Sequence, residues 1–335
     1  FSKVLDKIFP EQPVLAIETN SDSTILIGID GKGICELTRH GQKLLNTYME
    51  DIDIPTSLPG NGVYDILCDD NKRVWVATYS GGLSFFDQKT PYVTQITHQI
   101  NNPNSLCNNY INKVLEDSLG NIWFGTNNGV SRWNRRTNKW DTFYNNKQGQ
   151  AQVFLALCED GSGKIWAGTY SSGVYVLDGG TGRELHHYTQ GGDNSPLSGR
   201  FVFDIFRDSQ GDIWIGGIYS DIICYQSKAN KFRYYPAQPV RSFSELSPGK
   251  ILMACSYGLV LMDKETGATD VLLEGYLGQD LLVMEDKIWL TTSGDGLICY
   301  NYSDRTTEKF GTEYGLVSNY ISSIIYATGY LWLGT

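Results

Sequence analysis

Apolar and polar residues alternate along most of the chain in short runs that are separated by turn residues. Within these runs one five-residue phrase recurs, with Trp or another large apolar residue second and usually a small residue fourth or fifth. Its copies lie at residues 25–29, 74–78, 122–126, 165–169, 213–217, 251–255, 288–292 and 331–335. Because the alternation has a period of two, each run is predicted to be a strand, and the regular spacing of the phrase indicates a repeat protein.

Each repeat has the same order of strands and turns. The phrase is preceded by a D-x-x-G turn, as at Asp117 to Gly120. In such a turn Asp caps the backbone through its side chain, and Gly takes the left-handed conformation that closes a hairpin. A short loop and a second apolar run follow, as at 82–87, and then an aromatic-rich outer run, as at 140–144. The sequence therefore predicts four antiparallel strands per repeat, named A to D in chain order.

A single small sheet of this kind would expose two apolar faces, so it must stack on its neighbours, and radial stacking gives an all-β fold, the β-propeller. We predict seven four-stranded blades in residues 1–312, with 313–335 either starting a further blade or domain or forming a closing hairpin. An eight-bladed ring, in which this hairpin pairs with Phe1 to Val4, is the alternative. Trp123, Trp166 and Trp214 of strand B are expected to lie between blades, each beside a small residue.

The full motif resembles a known repeat family. It reads D-x-x-G-x-[I/L]-W-[I/F]-G-T, and a Ser- and Asn-containing loop precedes it, as at 104–110 and 315–320. This pattern resembles the two-component-regulator propeller repeat, which is found in the periplasmic sensor region of hybrid two-component receptors (hybrid sensor histidine kinase/response regulators) of polysaccharide-degrading bacteria. The resemblance covers essentially the whole chain.

The resemblance implies a periplasmic domain of an inner-membrane receptor that senses an oligosaccharide and regulates polysaccharide utilisation. The expected partners are a glycan fragment and the second propeller and coupling domain of the same receptor, with a homodimer left open. A histidine kinase is expected outside this chain. Because the shared motif is structural, it assigns no binding residue.

Composition excludes several other functions. The chain has 37 acidic and 27 basic residues and a formal net charge of −10, so it would be repelled by nucleic acids. Its seven cysteines include no C-x-x-C pair and no spacing with His that suits zinc, so we predict neither a metal site nor another cofactor. These cysteines are interpreted as small core residues.

Enzymatic activity is not predicted for this region. Glycoside hydrolysis needs two carboxylates across a sugar, but Asp69, Asp117, Asp160 and Asp208 all recur at the hairpin turn, away from the expected site. The four histidines lie near outer strands or loops. A protein-interaction scaffold is the main alternative function, and a propeller glycosidase or lyase is the less favoured one.

The loops between strands B and C and between strand D and the next strand A vary most, and they share one face. Variable loops on a rigid scaffold commonly form binding sites. We therefore expect a glycan there, bound by aromatic and polar side chains that could stack on sugars or bind an acidic group. The alternative is that they only pack along blade edges or pair with acids. The candidates are Tyr79, Tyr170, Tyr219 and Tyr257 after strand B, and Asn109, Tyr110, Arg200 and Arg241 at or just before strand A.

Overall fold

A computed structural model shows how the predicted strands are arranged. It describes residues 12–20, 24–51, 54, 56–69, 72–79, 81–87, 90–99, 102–145, 152–191, 196–218, 220–327 and 329–335. The described strands form seven four-stranded antiparallel sheets, each built from consecutive strands, and one two-stranded hairpin. The predicted all-β propeller with seven four-stranded blades is thereby confirmed.

The first two strands of each blade form its inner half. The innermost strands A are β1 (Val14–Thr19), β5 (Val63–Cys68), β9 (Ile111–Glu116), β13 (Phe154–Glu159), β17 (Asp204–Arg207), β21 (Val240–Ser247) and β25 (Gly278–Met284). The strands B are β2 (Thr24–Ile29), β6 (Arg73–Thr78), β10 (Asn121–Thr126), β14 (Lys164–Thr169), β18 (Ile213–Gly216), β22 (Lys250–Cys255) and β26 (Lys287–Thr292).

The last two strands form the outer half. The strands C are β3 (Gly33–Thr38), β7 (Gly82–Asp87), β11 (Gly129–Asn134), β15 (Val174–Asp178), β19 (Ile222–Gln226), β23 (Gly258–Asp263) and β27 (Leu297–Asn301). The outermost strands D are β4 (Leu44–Tyr48), β8 (Thr90–Ile96), β12 (Lys139–Phe143), β16 (Glu184–Tyr188), β20 (Lys231–Tyr235), β24 (Thr269–Glu274) and β28 (Thr307–Phe310). A 3₁₀ turn, Thr312–Tyr314, follows blade 7.

The terminal hairpin, β29 (Ser323–Ala327) and β30 (Tyr330–Gly334), lies between blade 7 and blade 1. Its Ile324 amide donates to Asp280 of blade 7 at 3.2 Å, and Trp332 packs against the core of blade 1. Consecutive strands A contact one another from β1 to β25, and β29 contacts both β25 and β1. The hairpin therefore bridges the two ends of the propeller. Phe1 to Val4, the predicted partner of the hairpin, lie outside the described residues.

The strand B tryptophans lie between adjacent blades, as predicted. Trp123 is fully buried and packs with core residues of blade 4, while Trp166 packs with blade 5 and Trp214 with blade 6. The small residue two positions later allows this close stacking: a Cβ placed on Gly168 would lie 2.6 Å from a methyl group of Val202 in the next blade. A larger residue there would push the blades apart.

Candidate functional site

The up-and-down blades separate the molecule into two faces. The A–B and C–D turns form one, the turn face, and the B–C and D–A loops form the other, the loop face. On the loop face the residue after strand B donates its amide to the residue just before strand A. Tyr79 donates to Gly62 at 2.7 Å, Asn127 to Tyr110 at 3.0 Å and Tyr170 to Val153 at 2.9 Å. Tyr79, Tyr110 and Tyr170 are thus fixed to the loop face by their own backbones.

Further bonds on the loop face join a blade to the next one along the chain. Gly173, just before β15, donates to the carbonyl of Arg200 at 3.2 Å, and Gly129 makes the matching bond to Gln152 at 2.8 Å. The buried Thr that ends strand B closes the intervening loop, because Thr169 donates its hydroxyl to Gly173 at 2.8 Å. Hydrogen-bonded loops hold side chains in fixed positions, which lowers the entropic cost of binding a ligand.

The turn face uses its acids for folding. In blades 2 to 5 the carboxylate that begins the A–B turn accepts the indole N–H of the Trp six residues later. The pairs are Asp69 with Trp75 at 2.9 Å, Asp117 with Trp123 at 2.7 Å, Asp160 with Trp166 at 3.1 Å and Asp208 with Trp214 at 2.9 Å. The second oxygen accepts backbone amides of the turn, as Asp117 does from Asn121 at 2.8 Å. These four carboxylates are buried structural groups, as their position in the sequence predicted.

The inner strands bulge where they reach the loop face. In β5 the pairing passes from Val63 with Thr78 to Asp65 with Ala77, so Tyr64 is an extra residue. Asn112 in β9 and Arg241 in β21 are extra in the same way. A bulge redirects a side chain from the regular alternation of a strand. Sequence reasoning missed Tyr64 because the alternation gives no sign of the bulge.

Three exposed tyrosines form a contiguous group on the loop face of blades 2 and 3. The rings of Tyr64 and Tyr79 stack with centroids 5.5 Å apart and an interplanar angle of 24°, and Tyr110 meets Tyr79 edge-on at 5.1 Å. They are 48%, 55% and 37% exposed, respectively. Partial burial and the neighbouring Asp30 carboxylate raise the pKa of Tyr64, so its hydroxyl keeps its proton at neutral pH. We call these three residues the tyrosine platform.

A second aromatic group lies on blades 4 to 6. Tyr170, which is 50% exposed, meets Phe201 edge-on with centroids 5.2 Å apart. Two residues further along the chain, Phe203 lies under the guanidinium of Arg241, whose central carbon is 5.1 Å from the ring centroid. The structure therefore groups the predicted Tyr170 and Arg241 with phenylalanines that the sequence analysis did not select.

Other predicted site residues have partners within the protein. Asn109 accepts the His98 amide through its side-chain oxygen at 2.7 Å, and Arg200 donates from Nε to Gln190 at 3.1 Å. Tyr257 is half-buried and donates its hydroxyl to the side-chain oxygen of Gln238. Tyr219 lies outside the described residues. A role in ligand binding stays a prediction for each of them.

Carboxyl groups and one lysine line the channel formed by the inner strands. Asp65 and Lys113 directly follow the bulges of blades 2 and 3, and Asp280 lies within the register shift of blade 7. Asp204 is the first residue of the innermost strand of blade 5. Asp204 accepts the Phe243 amide at 2.9 Å, which joins blade 5 to blade 6. Burial raises the pKa of Asp65 to about 6 and also raises that of Asp204 and Asp280, while the positive charge of Lys113 opposes each shift.

Among the described residues, no group of three or more His, Cys, Asp and Glu side chains is arranged to hold a metal ion. No helix in the same part of the chain has the length and apolar composition needed to cross a bilayer.

Comparison with solved structures identifies proteins with a similar fold. The extracellular domain of a hybrid two-component system of B. thetaiotaomicron matches with a TM-score of 0.54 and 14% identity over 97% of this chain and 51% of that one. PorZ, a surface component of the type-IX secretion system of Porphyromonas gingivalis, matches with a TM-score of 0.60 and 15% identity over 98% of this chain and 52% of that one. The computationally designed Ika8 protein matches with a TM-score of 0.68 and 12% identity over 97% of this chain and 96% of that one. The chain thus spans about half of the two natural proteins.

Comparison with curated proteins gave no match. In contrast, a model of the two-component regulator propeller matches four segments of the chain, at residues 57–80, 105–128, 148–171 and 196–219. Each segment contains strand A, the A–B turn and strand B of one blade, in blades 2 to 5. These are the strands that carry the Asp–Trp hydrogen bond and, in blades 2 to 4, the buried Thr. Four segments of the chain are therefore similar to the two-component regulator propeller repeat.

Proposed function

We propose that this chain is an extracytoplasmic, periplasmic sensor propeller of a hybrid two-component receptor, and that it binds an oligosaccharide on its loop face to regulate polysaccharide utilisation. The propeller repeats and the likeness to the extracellular domain of such a system support the receptor assignment. Because this chain spans about half of that domain, a second propeller and a coupling domain of the same receptor are its proposed partners.

The tyrosine platform is the observation that most supports glycan binding. Exposed aromatic rings are costly in water, and three contiguous ones indicate a binding surface. The carbon-bound hydrogens of a pyranose ring pack well on an aromatic face, while phenol hydroxyls bond to sugar hydroxyls. Tyr64 and Tyr79 offer nearly parallel rings, and Tyr110 stands at 77° to Tyr79. This arrangement suits two successive sugar units better than a flat protein surface.

The proposed function is binding without turnover. The four turn acids accept indole and amide protons on the opposite face. The carboxyls of Asp204 and Asp280 hold neighbouring blades together through Phe243 and Ile324. Groups with these structural bonds are poor candidates for the acid and base of a glycosidase, which must reach across a glycosidic bond.

Isothermal titration calorimetry against a panel of polysaccharide fragments tests the proposal. We expect at least one oligosaccharide to bind, and Tyr79→Ala to weaken its affinity about tenfold because the central ring of the platform is lost. Tyr302→Ala is the matched control, since Tyr302 is a partly exposed tyrosine in a C–D turn on the other face. Its affinity should equal that of the unaltered protein.

Two results would contradict the proposal. One is an absence of binding across the panel while a protein partner binds the same face, which would favour an interaction scaffold. The other is an affinity unchanged by Tyr79→Ala in a protein whose melting temperature is also unchanged. Release of shorter products from the panel, abolished by a single carboxylate substitution, would instead indicate an enzyme.

A further inference from the structure

Basic residues at the turn face are paired with acids. Lys264 donates to Asp208 and lies 2.7 Å from Asp212, and Arg135 lies 2.5 Å from Asp69. These contacts hold blades together, since Lys264 belongs to blade 6 and both its acidic partners to blade 5. In a chain with ten more acids than bases, this pairing is what simple electrostatics predicts.

Arg241 at the channel mouth is different. Within the described ranges its guanidinium makes no hydrogen bond or ion pair, and the side chain is exposed. The bulge in β21 turns it to the loop face, and the Phe203 ring supports its planar group from below. A guanidinium stacked in this way keeps its edge N–H groups free, and these match the two oxygens of a carboxylate or a sulfate.

Lys113 provides a second cation in the same channel. It is exposed, and in the described part of the chain its ammonium forms no ion pair within 4 Å. Its positive charge opposes the rise that burial causes in the pKa of Asp204 and Asp280. Asp280 in turn accepts the hydroxyl of Ser242, the neighbour of Arg241. Lys113 directly follows the bulge of β9 and Arg241 is the bulge residue of β21, so both cations lie at the loop-face ends of innermost strands, at the channel mouth.

We propose that the oligosaccharide bound at the loop face is acidic, and that Arg241 on Phe203 binds its uronate carboxylate or sulfate, assisted by Lys113. This inference rests on the proposed function and specifies the ligand class of the same face. The tyrosine platform would hold neutral parts of the same chain, and the cations would select for the acidic unit. Channel carboxyls oppose an anion, but burial disfavours their charged form, which reduces that opposition.

Calorimetry with three probes of equal length tests this inference: an oligogalacturonide, a chondroitin sulfate oligosaccharide and a neutral galactose oligosaccharide. We expect one or both acidic probes to bind, and Arg241→Gln to weaken that binding at least tenfold. Arg241→Lys should recover only part of it, because an ammonium lacks the planar fork. Lys113→Gln should weaken it less. The two acidic probes distinguish a carboxylate from a sulfate ester as the recognised group.

Arg233→Gln is the matched control for these variants. Arg233 also stacks on an aromatic ring, with its central carbon 5.1 Å from the Tyr235 centroid, but it lies on the outermost strand of blade 5 and donates to the Glu265 carbonyl. The substitution Arg233→Gln removes the same charge from the protein as Arg241→Gln does, but it leaves the channel mouth unchanged. We expect it to leave the affinity for all three probes unchanged.

The outcomes separate this inference from the proposed function. Equal binding of neutral and acidic probes, or an acidic probe whose affinity survives Arg241→Gln in a folded protein, overturns the inference and leaves oligosaccharide sensing intact. Failure of every probe and of the wider glycan panel overturns both. If Arg233→Gln weakens the binding of acidic probes as much as Arg241→Gln does, the weakening comes from the change in net charge. That result would also overturn the assignment to Arg241.

Discussion

Blades 3 and 7 have the same four-stranded architecture but differ at the strand B tryptophan. In blade 3, Trp123 is fully buried and donates to Asp117, which stands in a four-residue turn. In blade 7 the turn is the two residues Glu285 and Asp286, both exposed, and no acid stands six residues before Trp289. The indole nitrogen of Trp289 is buried and has no acceptor among the described residues.

This difference separates what a blade requires from what the family motif adds. Blade 7 pairs its strands as regularly as blade 3, so alternating apolar strands and short turns are sufficient for a blade. The Asp–Trp bond adds a hydrogen bond between two buried polar groups, the indole N–H and the turn carboxylate, to the strands of the blade. The family model matches residues 105–128 in blade 3, where the bond is present, and its four segments all precede blade 7.

The largest expected effect is the loss of the buried indole in blade 3. Trp123→Ala should lower the free energy of unfolding by about 3–5 kcal/mol, because it leaves a cavity between blades and frees the Asp117 carboxylate. Trp289→Ala should cost less, since that side chain is only half-buried and loses no hydrogen bond. Urea denaturation followed by circular dichroism measures both.

Leu119→Ala is the control for this pair, because Leu119 is exposed in the same turn as Asp117. It should change the free energy of unfolding by no more than about 0.5 kcal/mol. If Trp289→Ala proves as costly as Trp123→Ala, the contrast between the two blades has no energetic meaning.

Much of this architecture could be predicted from the sequence because each blade repeats the same local signals. Period-two alternation, D-x-x-G turns and the strand B tryptophans defined the strands and both faces. The partner of Trp123 was not predicted, since the turn acid was assigned only to backbone capping. Tyr64 and Lys113 were missed for another reason: a bulge shifts the register by one residue, and only the pairing with strand B reveals it.

The comparison of blades extends to the channel, where blade 3 has Lys113 and blades 2, 5 and 7 have carboxyls. Burial raises the pKa of Asp65 to about 6, above its value in an unfolded chain. Between about pH 4 and pH 6 the folded protein therefore keeps a proton on Asp65 that the unfolded chain has lost, so the contribution of this group to stability falls as pH rises through that range.

Asp65→Asn should accordingly raise the melting temperature by a few degrees at pH 8 and leave it nearly unchanged at pH 4. An amide oxygen can still accept the Ile66 amide, which is 3.0 Å from the Asp65 carboxylate. Scanning fluorimetry between pH 4 and 8 measures the melting temperatures of Asp65→Asn and of the unaltered protein. If the difference between them shrinks as pH rises, the effect of Lys113 on the pKa of Asp65 outweighs the effect of burial, contrary to this account.

The smallest expected effect tests the Asp–Trp bond itself, by replacing each indole with a ring that lacks a donor. Trp123→Phe should cost about 1–3 kcal/mol, because the buried Asp117 carboxylate loses a hydrogen bond as well as packing contacts. Trp289→Phe should change the free energy of unfolding by less than about 1 kcal/mol, because the lost contacts are partly offset by removal of a buried N–H without an acceptor. Trp166→Phe, whose indole bonds to Asp160, should behave like Trp123→Phe. Equal costs at Trp123 and Trp289 in urea denaturation would show that the motif stabilises a blade by ring volume alone.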